Sequence, residues 1–433
     1  MSGDPTERAT ALAMDAEDPL APFRDQFHVA DPHVCYLDGN SLGRLPVATI
    51  AAVNELLLDE WGGEVVDGWS HWIDEARTTG DLVGRATLGA AAGQTLVQDT
   101  TSVNFYQLCM AAITARPGRR TVIIDSANFP TDRYILAGIA GAMGLRLITL
   151  DNDGTGGPGA VSVDSDCELI SASTLERHLG EDVALVTLQV VQYRSGARQD
   201  VAAITDLVRS HGGLVVWDAA HAAGSVELAF DDWGVDLAVG CTYKYGNSGP
   251  GAPAWLYVNR SVQEQLRVPI QGWFANQRQF EMGPHFEPAV GIRRFQVATP
   301  AVMGLRAVQT SYRMIEQAGM AAIAEKARLG TELMITLFDR WLAPLGFSLL
   351  TPRDPALRGG HITVAHPHAR QIASAMRTLT KTIPDYRVPD SIRLAISPLP
   401  TSYTEVWDGF DRLRDLVSSG RYLDAPDTGG RVT

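Results

Sequence analysis

The sequence predicts an α/β protein: a large domain built on a mostly parallel sheet with helices on both faces, followed by a smaller α+β domain. Three observations carry that expectation. Short β-branched runs alternate with stretches of helical periodicity between residues 121 and 258. After Pro300 the texture changes to long helical patterns interrupted by brief strands. The 433 residues are too many for one ordinary domain and suit a large domain plus a smaller one.

In chain order, the division expected is a lead-in over 1–46 that packs with the small domain, a large domain over 47–300 and a small domain over 301–433. The opening MSGDPTERATALAMDAEDPL is acidic, lacks the basic-then-apolar order of a signal peptide, and suggests a loosely ordered lead-in. YLDGNSLGRLP (36–46) is turn-rich, and helical spacing follows over 47–61 and 73–91. Asp99-Thr100-Thr101-Ser102 is a strong helix-start signal ahead of VNFYQLCMAAITA. Strands are expected at TVIID (121–125), LRLITL (145–150), ALVTLQVV (184–191), GLVVWD (213–218), VDLAVGC (235–241) and APAWLYV (252–258), with helices over 130–143 and 201–212. The Gly- and Asp-rich stretch 151–168 is a loop. Further on, helices over 301–317, 321–342 and 367–380 and from Thr404 enclose strands at FSLLT (347–351), HITVAH (361–366) and SIRLAI (391–396).

Composition narrows the function. A net charge of −14 leaves no basic surplus for nucleic acid or an anionic membrane. No apolar run reaches the ~18 residues of a membrane span. Cys35, Cys109, Cys167 and Cys241 share no CxxC spacing, so reduced thiols in a cytoplasmic protein are expected rather than disulfides or a metal centre. Lys244, Lys326 and Lys381 are the only lysines among 36 basic residues. Arg stays protonated and cannot serve as an amine nucleophile, so any catalytic amine comes from these three.

Asp218 closes the strand LVVWD, at the edge where open α/β sheets place ligands. His221 follows in DAAHAAG, and Lys244 comes directly after the next strand, within CTYKYGNSGPGAP. Singly, Asp218 could cap a helix and His221 could be a satisfied core histidine. Together, an amine and a carboxylate facing one site suit pyridoxal phosphate (PLP): the amine holds the cofactor, and the acid keeps its ring nitrogen protonated. DTTS offers hydroxyls and N–H groups at a helix start, as an ordinary cap or as a phosphate site. NFPTD (128–132) supplies Phe129 for ring stacking and Asp132 near the cofactor, or else a turn with a buried Phe.

The run from Trp217 to Val258 resembles the cofactor-lysine block of kynureninases. YLDGNSLG, DTTSVN, NFPTD, GWF (272–274), the stretch 286–300, RGGHITVAHP (358–367) and IRLAISPLPTSYTEVWD (392–408) are similar to that family too, in the same order. The resemblance implies a fold-type-I PLP enzyme of the class-V aminotransferase group. Such an enzyme is a homodimer that cleaves the Cβ–Cγ bond of kynurenine or 3-hydroxykynurenine by hydrolysis. It also implies roles. Lys244, Asp218 and Tyr243 would be catalytic, with Lys244 bonded to the cofactor and Asp218 paired with its ring nitrogen. His221 and Asp132 would support the cofactor, and Phe129 would stack on it. Thr101, Ser102, Tyr243 and Trp273 would hold the phosphate, with Thr299 reaching in from the partner subunit. Arg393 would clamp the substrate carboxylate. Asn40, Trp72 (in GWSHW, 68–72) and Asn276 would complete the substrate site.

This sequence departs from the family at several of these places. GWFAN puts Ala275 and Asn276 where the family has Gly and His, and Pro398-Leu399-Pro400 replaces Pro-Leu-Tyr. QVVQYRSG puts Gln189 where a small hydroxyl residue usually meets the cofactor, while Tyr193 remains. Substrate-facing positions thus diverge more than cofactor-facing ones. The alternative is a related lyase, elimination enzyme or aminotransferase acting on another amino acid.

Overall fold

The computed structural model describes residues 3–152 and 168–425. Seven strands form the main sheet, in the spatial order Thr95–Val97, Trp255–Val258, Leu237–Gly240, Leu214–Asp218, Val183–Gln189, Thr121–Asp125, Arg146–Leu150. The last five are mutually parallel, and Trp255–Val258 runs against its neighbours on both sides. Every residue of Thr121–Asp125, Val183–Gln189 and Leu214–Asp218 is buried, which is why these segments are continuous apolar runs instead of alternating ones.

The helices begin and end on local chemistry. Thr101–Thr114 starts where the Thr100 hydroxyl accepts the Val103 N–H at 3.3 Å. Pro130–Met143 opens on a proline and stops at Gly144, whose φ of 62° is left-handed. Val201–Ser210 is capped by Asp200. The expected helix over 47–61 is α-helical for Val47–Glu55 and continues in wider π turns over Leu56–Glu64. The one expected over 73–91 is α-helical for Glu75–Val83.

A second, antiparallel sheet has the order Asp385–Arg387, Ser391–Ala395, His361–Ala365, Ser348–Leu349. Helices Met320–Leu337, Ala369–Leu379 and Tyr403–Ser418 enclose it around a separate core that includes Leu333, Ile362, Leu394 and Phe410. Helix Val302–Ala318 lies beyond residue 300, yet it buries Leu305, Val308, Tyr312 and Ile315 in the larger core.

The lead-in is not loose. Arg8–Glu17 is a helix that lies on Tyr403–Ser418, with Ala11 fully buried in the smaller core. Asp15 accepts the N–H groups of Tyr403 at 2.8 Å and Thr404 at 3.0 Å, two of the orphan donors at that helix start. Lys326 and Asp18 form a buried pair at 2.8 Å. These partners are more than 300 residues away, so local sequence could not announce them.

Among the described residues no helix is long and apolar enough to cross a membrane. Cys35, Cys109 and Cys241 are buried and unbonded; Cys167 and most of the 151–168 loop lie outside the described residues.

Candidate active site

At the C-terminal edge of the main sheet, the chain leaves Thr121–Asp125 toward Arg146–Leu150 on one side, then returns on the other side at Val183–Gln189. Such a reversal opens a crevice. A cavity of about 140 Å³ lies at this edge, and its walls include Thr101, Ser102, Phe129, Asp132, Gln189, Asp218, His221, Tyr243 and Lys244. Nine residues expected at the cofactor are therefore brought together by one chain.

The loop after Leu237–Gly240 fixes Lys244. Thr242 Oγ1 donates to the Pro253 carbonyl at 2.8 Å, Asn247 Nδ2 donates to the Tyr245 carbonyl at 2.7 Å, and the hydroxyls of Ser248 and Ser311 meet at 2.7 Å. From the other side the YLDGNSLG turn presses in, with Gly43 N–H donating to the Tyr243 carbonyl at 2.8 Å. A Cβ at Gly43 would lie 2.5 Å from the Lys244 carbonyl and 2.4 Å from Asn247 Oδ1. Gly43→Ala is therefore expected to displace the lysine loop and lower stability by about 1–3 kcal/mol, as overpacking does. A urea midpoint at the wild-type value would refute this.

Lys244 Nζ lies 2.8 Å from His221 Nε2. Burial lowers the lysine pKa, and burial followed by the Lys244 charge holds His221 well below its ordinary value. A neutral imidazole can then accept from the ammonium. Asp218 receives the Ala220 N–H at Oδ1 (2.8 Å) and the Gln189 side-chain amide at Oδ2 (3.1 Å). Burial, then the Asp218 charge, raises the Asp132 carboxyl well above the usual range. Phe129 meets Tyr193 edge-on at 5.2 Å. The Tyr243 phenol is pushed up, chiefly by the neighbouring Cys241 and then by burial.

These residues fit PLP. The amine is partly buried and faces the cavity, a carboxylate already oriented by two donors stands beside it, and the start of helix Thr101–Thr114 presents N–H groups and two hydroxyls to a phosphate.

The other expected residues do not line this cavity. Arg393 is fully buried, its guanidinium held by Asp385 Oδ2 (2.7 Å), Ser41 Oγ (2.7 Å) and the Tyr193 carbonyl. Asn40 is buried in the turn beside it, and among the described residues neither of its side-chain polar atoms has a partner. Trp72 donates to Glu60 at 2.6 Å, and Asn276, Trp273 and the exposed Thr299 lie apart, with Trp273 42% exposed. Glu60, His71 and Glu75 converge as cation ligands might, but Arg306 reaches both carboxylates at 2.6 Å and already supplies the positive charge.

Ser41, Thr131 and Arg387 also line the cavity and were not anticipated. Ser41 and Thr131 sit inside YLDGNSLG and NFPTD, which could have flagged them. Arg387 had no signal; its Nε binds Asp385 at 2.6 Å and its guanidinium lies 5.8 Å from the Tyr193 ring centre.

Solved structures of similar shape include a cysteine desulfurase from Thermococcus onnurineus NA1 (TM-score 0.77, 18% identity, 92% of this chain and 98% of that one). Another is a mutant of C-DES with glycine covalently linked to its PLP cofactor (TM-score 0.76, 20% identity, 90% and 99%). Fold and site together define the class: a fold-type-I, PLP-dependent enzyme. The Kynureninase C-terminal domain model matches residues 323–413. Kynureninase of Pseudomonas fluorescens is 36% identical over 431 residues, 97% of this chain and 98% of that protein. That of Burkholderia pseudomallei (strain 1106a) is 34% identical over 418 residues, 95% and 96%. The chain belongs to the kynureninase family.

Proposed function

We propose that this enzyme hydrolyses the Cβ–Cγ bond of kynurenine or 3-hydroxykynurenine, releasing alanine and an anthranilate, as a cytoplasmic homodimer in tryptophan catabolism. The observation that carries the reading is Lys244 Nζ held 2.8 Å from His221, beside Asp218, in a chain that aligns with kynureninases along almost its whole length.

When bound, PLP supplies the electron sink for a carbanion at the substrate Cα. The protein's part is positional. Lys244 carries the cofactor and moves protons at Cα, a task suited to an amine whose pKa burial has lowered. Asp218, with both oxygens directed by donors, pairs with the ring nitrogen. Thr101 and Ser102 take the phosphate, and Phe129 covers the ring. Arg393 and Ser41 receive the substrate carboxylate from the side of the small sheet.

A second copy completes the site in this reading. Trp273, Asn276, Thr299 and Trp72 are absent from the cavity wall of their own chain. Leu58, Trp61, Val65 and Val66 form an exposed apolar run, and Phe280 and Met282 are 68% and 70% exposed. Exposed apolar area on this scale favours a partner. Three free buried thiols suit a reducing compartment.

The test mixes the purified enzyme with kynurenine and follows anthranilate fluorescence with free alanine, alongside a panel of other amino acids assayed for keto acid. Alanine and anthranilate in equal amounts are expected, from a species of twice the chain mass by light scattering. Turnover of another amino acid with kynurenine untouched would replace the substrate. Asn276→His probes the departure directly: a change in kcat/KM for kynurenine of under about tenfold, roughly 1.4 kcal/mol, is expected if kynurenine is native. A much larger gain would mean that this site evolved for something else.

A further inference from the structure

Two carboxyl groups share the floor of the cavity, and they are not equivalent. Asp218, 4% exposed, has both oxygens occupied by donors: the Ala220 N–H at 2.8 Å and Gln189 Nε2 at 3.1 Å. The Gln189 amide cannot turn round to present its oxygen, because Oε1 accepts the Tyr193 N–H at 3.3 Å. Asp132, 3% exposed, faces Asp218, and among the described residues no donor reaches its Oδ2. A buried, ionised carboxylate with an oxygen lacking any donor, set against a second carboxylate, is costly on both counts.

The geometry points to Asp132 as a neutral carboxylic acid that donates its proton to Asp218, leaving the pair one negative charge, with Gln189 fixing that charge on Asp218. This rests on the reading of Asp218 as partner of the cofactor's ring nitrogen. It adds what sets the state of that partner. One negative charge balances one protonated ring; two would leave an excess anion under the cofactor. A carboxylate already receiving three hydrogen bonds is also a weaker base, so it holds the ring N–H without removing its proton. Gln189 and Asp132 are positioning residues that act through Asp218.

The surrounding charges agree. Asp132 faces Asp218 and Asp125, both of which raise its pKa, and Lys244, which lowers it; Cys109 packs behind it on helix Thr101–Thr114. Burial pushes Asp125 itself to about 7. Lys244 and Arg387 are the cations on this cavity wall, and among the described residues the carboxyl whose Oδ2 no donor reaches is the one that keeps its proton.

The sign of the pH dependence follows. A carboxyl whose folded pKa lies above its unfolded value of about 3.9 makes the native state hold the extra proton. The stability associated with Asp132 then falls as pH rises from about 4 toward the folded pKa. Asparagine has the shape of the neutral acid and no such slope. The full-length protein is compared with Asp132→Asn and Asp132→Ala, each with and without added PLP. The urea midpoint of Asp132→Asn relative to wild type is expected to climb between about pH 5 and pH 8. The infrared difference spectrum of wild type minus Asp132→Asn at neutral pH should contain a carboxylic-acid carbonyl band. Asp132→Asn should keep its PLP Kd within about threefold, while Gln189→Leu, which removes the donor from Asp218, should raise it by at least about tenfold. A carboxylate band in place of the acid band, or Asp132→Asn losing PLP and stability in parallel with Asp132→Ala at every pH, overturns the proposal. These readouts need no kynurenine, so a protein that passes them and fails the anthranilate assay refutes the substrate alone.

Discussion

Lys244→Ala is expected to lose at least about 10³-fold in kcat, because both the covalent anchor and the proton-transfer group disappear, and acid–base catalysis by itself contributes about 10²–10⁴-fold. The fold should survive. The amine is a charge that burial already disfavours, and it lies 2.8 Å from His221 Nε2. PLP should still bind through Thr101, Ser102 and Asp218, but borohydride should no longer fix it to the protein. Lys244→Arg should not rescue turnover, since a guanidinium stays protonated. The attachment can be mapped without ambiguity, because two other lysines exist. Lys326 is buried against Asp18 at 2.8 Å, over the Tyr403 ring, and Lys381 is an exposed partner of Asp31 at 2.9 Å. Reduced wild-type protein should carry its pyridoxyl group on the peptide containing Lys244. A label on either of the others would sink the assignment.

What the chain announces about itself depends on how local the cause is. Asp218 and Lys244 could be read because strand ends are visible as apolar runs that stop at a polar residue, and the edge of an α/β sheet is where ligands sit. Helix starts were legible at Thr100 and Pro130 for the same reason: the cap is within three residues of what it caps. Thr95–Val97 is too short to show a period, and it is a strand because Trp255–Val258 pairs with it across more than 150 residues. The lead-in helix likewise depends on Tyr403, Thr404 and Lys326. At the site, Arg387 was invisible because a lone arginine between Tyr386 and Val388 has no pattern; Asp385 and Tyr193 give it its place. Trp72, Trp273, Asn276 and Thr299 rest on family resemblance, and one chain does not bring them to the cavity wall.

Arg393→Ala should fail twice, in stability and in substrate binding, and the two failures can be separated. Arg393 is fully buried and bonds Asp385 Oδ2 at 2.7 Å; Asp385 is fully buried too, and its Oδ1 has no partner among the described residues. Removing the guanidinium leaves a buried carboxylate with the Arg387 Nε, at 2.6 Å, as its remaining cation. Breaking such a pair costs about 3–5 kcal/mol, which should show as a lower urea midpoint with or without cofactor. If Arg393 also receives the substrate carboxylate, kcat/KM should fall by about 10²–10³-fold, mostly in KM, the equivalent of roughly 3–4 kcal/mol for an unpaired buried contact. Asp385→Asn in the Arg393→Ala background removes the stranded charge and should recover most of the stability, yet none of the substrate affinity. Recovery of both would make Arg393 a structural partner of Asp385 and transfer the carboxylate-binding role to Arg387, the arginine that lines the cavity.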